Sequence, residues 1–216
     1  MTPATLRRDL TTRARRSGMA AEWPLVRLGD VCHIQLGKML SPKSKTGRNP
    51  RPYLRNANVQ WGRFELATVS QMDFDEREQE KFALRPGDLL VCEGGEPGRS
   101  AVWDGSIEPC FYQKALHRIR SKGDAVDTTF LMYRLWHASK AGEFTDSKRK
   151  STIAHLPLER LEAIQLRLPP IEEQRRLAAR LMETLQVIET ARRALLDQLE
   201  ACDLLGTRLL ADTFRR

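Results

Sequence analysis

The spacing of apolar residues changes once, and sharply, along this chain. As far as Pro170 they fall in short runs broken by glycine and proline. From Ile171 onward they recur at steps of three and four, with no proline and a single glycine, Gly206. Short runs bounded by turn residues predict strands; a sustained three–four repeat predicts a long amphipathic helix. Leu25, Val26, Leu28, Val31 and Ile34 predict a strand with a turn at Gly29-Asp30. Residues 53–54, 59–61 and 64–66 predict further short strands, and 89–92 a buried one after the Pro86-Gly87-Asp88 turn. Residues 101–103, 111–112 and 116–119 continue a sheet. Residues 75–82 predict a short exposed helix capped by Asp75, residues 127–140 a buried helix, and 156–168 a short helix followed by a strand. The fold class expected is α+β: a mixed α/β domain over 23–170, then one long C-terminal coiled-coil-type helix over 171–216.

The seam of that helix carries Ala178, Leu181, Leu185, Ile188, Leu195, Leu199, Cys202 and Leu209, with Arg192 and Gly206 at intervening positions. This is the coiled-coil period. Pro169-Pro170 blocks backward extension, and Glu172-Glu173 suit the positive end of the helix dipole. About forty residues reach roughly 60 Å, longer than the host domain needs. Packing along the domain is one use of such a helix; reaching a second helix is the one expected here.

Charge narrows the partners. The formal net charge is +8 and the pI about 9.6, which favours a polyanion: nucleic acid first, an anionic membrane surface second. No apolar run is long enough to span a bilayer. Residues 1–22, with Arg7, Arg8, Arg13, Arg15 and Arg16, read as a basic flexible N-terminal arm and lack the apolar stretch of a signal peptide. Their composition also suits an organelle transit segment. Cys32, Cys92, Cys110 and Cys202 are scattered, without metal-ligand spacing, so core thiols in a reducing cytoplasm are expected and no metal is.

Catalytic signatures are missing. No phosphate-binding loop, serine elbow or methyltransferase motif occurs, and Gly94-Gly95-Glu96-Pro97-Gly98 leads into a strand rather than a helix. Asp88 with Glu93 is the one faint nuclease-like carboxylate pair, and a small metal-dependent nuclease is the alternative function. A binding role has more support. From Val31 to Phe64 there is no acid, while Lys38, Lys43, Lys45, Arg48, Arg51, Arg55 and Arg63 fall there with Asn56, Asn58 and Gln60. Lysines suit phosphates, whereas Arg, Asn and Gln can grip base edges with paired hydrogen bonds. Residues 36–55 read as a long surface loop, equally able to serve only solubility. Lys148, Arg149, Lys150, Ser151 and Thr152 form a second candidate phosphate clamp, and Arg99, Gln113 and Lys114 are further candidate contacts. His117 is expected to be a hydrogen-bonded structural residue. Tyr53, Trp61, Trp103 and Trp136 are expected in the core or a cleft wall.

Taken in order, several segments resemble one half of the DNA-specificity (S) subunit of Type I restriction–modification systems. They are Trp23-Pro24-Leu25-Val26-Arg27-Leu28-Gly29-Asp30, Tyr53-Leu54-Arg55-Asn56-Ala57-Asn58-Val59, and Leu84-Arg85-Pro86-Gly87-Asp88-Leu89-Leu90. Ser151-Thr152-Ile153-Ala154-His155-Leu156 and Leu168-Pro169-Pro170-Ile171-Glu172-Glu173-Gln174 complete the set, the last being the most specific. The resemblance implies a non-catalytic target-recognition domain that reads double-stranded DNA within a cytoplasmic complex. It also implies methyltransferase (M) subunits that hold S-adenosylmethionine, and a restriction (R) subunit that can join them. Such subunits usually carry two recognition domains separated by two antiparallel helices. One domain and one helix imply a half-length form or a truncated remnant. In the half-length case two copies are expected to pair as a homodimer through residues 171–210, with Leu181, Leu185, Ile188, Leu195 and Leu199 in the seam.

Overall fold

The structure is a computed structural model that describes residues 23–144 and 155–215. The chain divides into two compact units, Met1–Arg175 and Arg176–Arg216. The predicted N-terminal arm and the cluster from Lys148 to Thr152 lie outside the described residues.

In chain order the first unit holds β1 (Leu25–Arg27), α1 (Leu28–Val31), β2 (Cys32–Leu36), β3 (Pro50–Leu54), β4 (Val59–Gln60), β5 (Arg63–Phe64) and β6 (Ser70–Asp73). Then come α2 (Glu76–Phe82), β7 (Leu89–Cys92), β8 (Ser100–Val102), β9 (Phe111–Tyr112), β10 (Leu116–Ser121), α3 (Thr128–Lys140), α4 (Leu158–Ala163) and β11 (Gln165–Arg167). The long helix α5 (Ile171–Thr213) begins in this unit and continues through the second. Its 43 residues correspond to about 65 Å of helix. The fold is α+β with one long C-terminal helix.

One four-stranded sheet has the order β2-β10-β7-β8, and a three-stranded sheet has the order β6-β3-β9. All four residues of β7 are buried, because strands flank it on both sides; this explains its unbroken apolar run. The two ends of the domain meet where β1 pairs antiparallel with β11. Phe74 stacks on Phe111 at 4.4 Å, and Leu54, Leu90, Trp103, Tyr112 and Leu116 close the same core. Asp75 caps α2 by accepting from Glu78 N–H at 2.8 Å, while the Glu78 carboxylate accepts from Asp75 N–H at 3.0 Å.

The segment 36–55 is more ordered than the expected loop. Pro42–Lys45 forms a 3-10 turn and β3 starts at Pro50. β9 reaches only Tyr53 and Leu54, which leaves Pro50 and Pro52 outside that ladder, where a missing N–H costs nothing. β6, with the polar sequence Ser-Gln-Met-Asp, has no apolar pattern of its own and forms by antiparallel pairing with β3.

Candidate nucleic-acid interface

Backbone pairing brings four separate segments together at one end of the sheets. The loop after β2 runs beside the residues after β9: Lys38 N–H donates to Tyr112 O at 3.1 Å and Lys114 N–H to Lys38 O at 2.7 Å. Gly37 permits this approach, since a Cβ there would sit 2.3 Å from Gln113 O. Gln113 N–H donates to Leu54 O, so the residues following β3 lie alongside. The glycine loop after β7 joins them, because Glu93 N–H donates to Ala115 O and Asn56 Nδ2 to Gly94 O. The segments that carry Lys38, Arg55, Asn56, Arg99, Gln113 and Lys114 thus converge.

Their side chains do not all face outward, and two expectations need correction. Lys38 is buried: its Nζ donates to Asp73 O at 2.7 Å, pairs with Glu78 and lies 4.8 Å from the Phe74 ring centre. A cation so engaged holds its own loop in place and cannot serve phosphate. Asn58 is also buried, accepting from Arg55 N–H and donating to Glu65 O and Thr68 O. It shapes the loop that presents Arg55 and is no base reader. Arg99 is partly committed too, with Nη2 donating to Asn56 O at 3.1 Å and Nη1 3.5 Å from Glu96. Arg55, Asn56 and Gln113 are half-buried, and Lys114 is exposed. Arg55 Nε and Asn56 Oδ1 are buried without a hydrogen-bond partner among the described residues. Groups of this kind gain most from a ligand that completes them.

Asp73 organises a second group. Its carboxylate accepts from Thr46 Oγ1 at 2.7 Å, Gly47 N–H at 2.9 Å and Asn49 N–H at 2.8 Å. The Thr46 hydroxyl first, then the Asn49 amide, hold its carboxyl below the usual range. This cradle shapes the turn that displays exposed Lys45 and Arg48 and leads to half-buried Arg51. Lys43 lies in the preceding 3-10 turn. Sequence reasoning missed Asp73, since its partners lie 24 to 27 residues away.

An aromatic ladder was equally invisible. Trp61 stacks on Trp136 at 5.2 Å, Tyr133 follows at 6.3 Å, and Trp61 Nε1 donates to Glu96 at 2.7 Å. Trp103 is core, as expected. His117 is fully buried, its Nε2 facing Leu156 O at 3.0 Å, and burial pushes its pKa down.

The nuclease alternative finds no support. Asp88 Oδ1 and Oδ2 both accept from Arg120, and the carboxylate also accepts from Arg85 N–H. Asp88 and Glu93 bracket β7, so about 16 Å of strand separates them, too far to share an ion. Among the described residues, no group of three or more His, Cys, Asp or Glu side chains could hold a metal. No described helix is long and apolar enough to cross a membrane.

The described residues form a mixed α+β domain with a basic, amide-rich sheet end, and a long helix that carries an apolar stripe. The chain belongs to the family of Type I restriction modification DNA specificity domains, which it matches over residues 20–201. It is 25% identical over 155 residues to a putative type I restriction enzyme specificity subunit of Haemophilus influenzae; the match covers 72% of this chain and 38% of that protein. A chain from a structure of type I R-M system assembly and conformational transition has the same fold. It aligns with a TM-score of 0.72 and 22% identity, covering 98% of this chain and 53% of that one. The HsdS subunit from Thermoanaerobacter tengcongensis aligns with a TM-score of 0.61 and 22% identity, covering 88% and 47%. The chain therefore spans about half the length of these solved relatives, or less.

Proposed function

We propose that this chain recognises a specific double-stranded DNA sequence as the non-catalytic reading component of a Type I restriction–modification assembly. The family match over residues 20–201 carries this reading. The sheet end supports it: Arg55, Asn56, Gln113 and Lys114 offer donors and acceptors in the mixture that base reading requires, and Lys45 and Arg48 offer exposed charge for phosphates. Catalysis and S-adenosylmethionine belong to methyltransferase partners, with a restriction subunit as a further partner.

Two copies pair through residues 171–210 and read a bipartite site in this proposal. Leu181, Ile188, Leu195 and Leu199 are exposed along α5 and Leu185 is half-buried, an apolar stripe that a second helix would cover.

Selection of bound duplexes from a randomised pool, with the full chain and a methyltransferase partner, tests the reading. One enriched sequence is expected. Enrichment of none, with binding that depends on salt alone, would refute it. Lys45→Ala with Arg48→Ala should lower affinity for all duplexes alike and reduce the slope of log K against log salt by about two. Arg55→Ala should instead relax preference at one base position.

A further inference from the structure

We propose that Met39 and Leu40 form a rigid apolar tip that reads thymine 5-methyl groups in the major groove. This rests on the DNA-recognition reading above and adds a chemical class of contact to it.

Met39 is 62% exposed and Leu40 44%, and Met39 is the most exposed large apolar side chain of the first unit among the described residues. Their position is held from both sides. Before them, Gly37 N–H donates to Leu116 O, Lys38 is bonded through both its backbone groups to the strand-end residues 112–114, and the Lys38 side chain is anchored inward. After them, Ser41 N–H donates to Ser44 Oγ at 2.9 Å and Ser44 Oγ donates to Ser41 O at 2.7 Å. The Asp73 cradle then fixes residues 46–49.

Two apolar side chains fixed in water at the head of a cationic loop gain nothing from phosphates. They gain by passing between the phosphates to an apolar group at a base edge. In the major groove that group is the thymine methyl. Exposed Lys114 adjoins Lys38, the stretch 31–64 holds no acid, and the neighbouring acids Glu78 and Asp73 are engaged by Lys38 and by residues 46–49. The sequence alone pointed to lysines and arginines here. Lys38 turns inward, whereas Met39 and Leu40 beside it stay exposed.

The test uses duplexes enriched by the full chain and its methyltransferase partner. Each thymine is replaced in turn by deoxyuridine, which removes only the methyl group. At one or two positions, affinity should fall about fourfold per methyl, the worth of one buried apolar carbon. In the double variant Met39→Ala, Leu40→Ala, that penalty should vanish while the salt dependence stays. Met39→Leu should keep the penalty. Unchanged thermal unfolding of each variant would show that the loop's anchors are intact.

Deoxyuridine without effect at every position, in the presence of sequence-selective binding, overturns the proposal and leaves the DNA reading standing. So does a DNA bend that depends on Leu40 but not on the methyl group, since that describes a minor-groove wedge. Absence of any sequence preference overturns both.

Discussion

Replacing Gln174 offers a direct measurement of what the Pro-Pro-Ile-Glu-Glu-Gln segment does. The side chain is 0% exposed in the first turns of α5. Its Oε1 accepts from Asp127 N–H at 2.8 Å, and its Nε2 donates to Ala125 O at 3.1 Å and to Pro169 O at 2.9 Å. One amide therefore ties the start of α5 to the turn that caps α3. Gln174→Ala removes all three bonds and leaves their backbone partners without a replacement in a closed site. At about 1 kcal/mol net per bond, more where a buried group stays unsatisfied, the cost is about 3–5 kcal/mol. Urea unfolding of the full chain reads this out. With a slope of about 2 kcal/mol per molar, the midpoint should fall by about 1.5–2.5 M. Gln174→Glu keeps the acceptor, loses the donors and sets a charge against two carbonyls, so its cost should be at least as large. Thr184→Ala, on an exposed part of α5, should change stability by less than about 0.5 kcal/mol. If Gln174→Ala lies within 1 kcal/mol of wild type, water replaces these bonds and the junction does not depend on them.

Three further outcomes are expected. Gly37→Ala forces a Cβ to within 2.3 Å of Gln113 O, and should cost about 1–3 kcal/mol by thermal unfolding as the loop is pushed off its strand. Burial holds the folded-state pKa of His117 below 6.5, so the unfolded chain takes up a proton that the folded chain refuses. The contribution of neutral His117 is whole above pH 6.5 and is lost as pH falls toward the folded value, at no more than about 1.4 kcal/mol per pH unit. His117→Gln retains a donor for Leu156 O and should flatten the drop in melting temperature between pH 7.5 and 5.5. Leu195→Glu with Leu199→Glu should abolish pairing in sedimentation while the melting temperature of the first unit stays put; a paired double variant would exclude the α5 stripe as the seam.

Several elements of this protein were legible from neighbouring residues alone. The three–four repeat from Ile171, the proline pair before it, Asp75 as the cap of the short helix and the short run at 89–92 each predict an element that the structure contains. Their energetics are local, being caps, dipoles and periodic burial between residues a few positions apart. What the sequence could not decide was which way a polar side chain turns. Lys38 and Lys114 look alike in the sequence, yet one is buried against Glu78, 40 residues away, and the other is exposed. Asp88 resembled half of a metal site until its partner Arg120, 32 residues away, was in place. β6 exists because β3 lies beside it. Burial and pairing of this kind depend on segments dozens of residues apart, and only the assembled tertiary structure brings their charges and backbone groups within reach of one another.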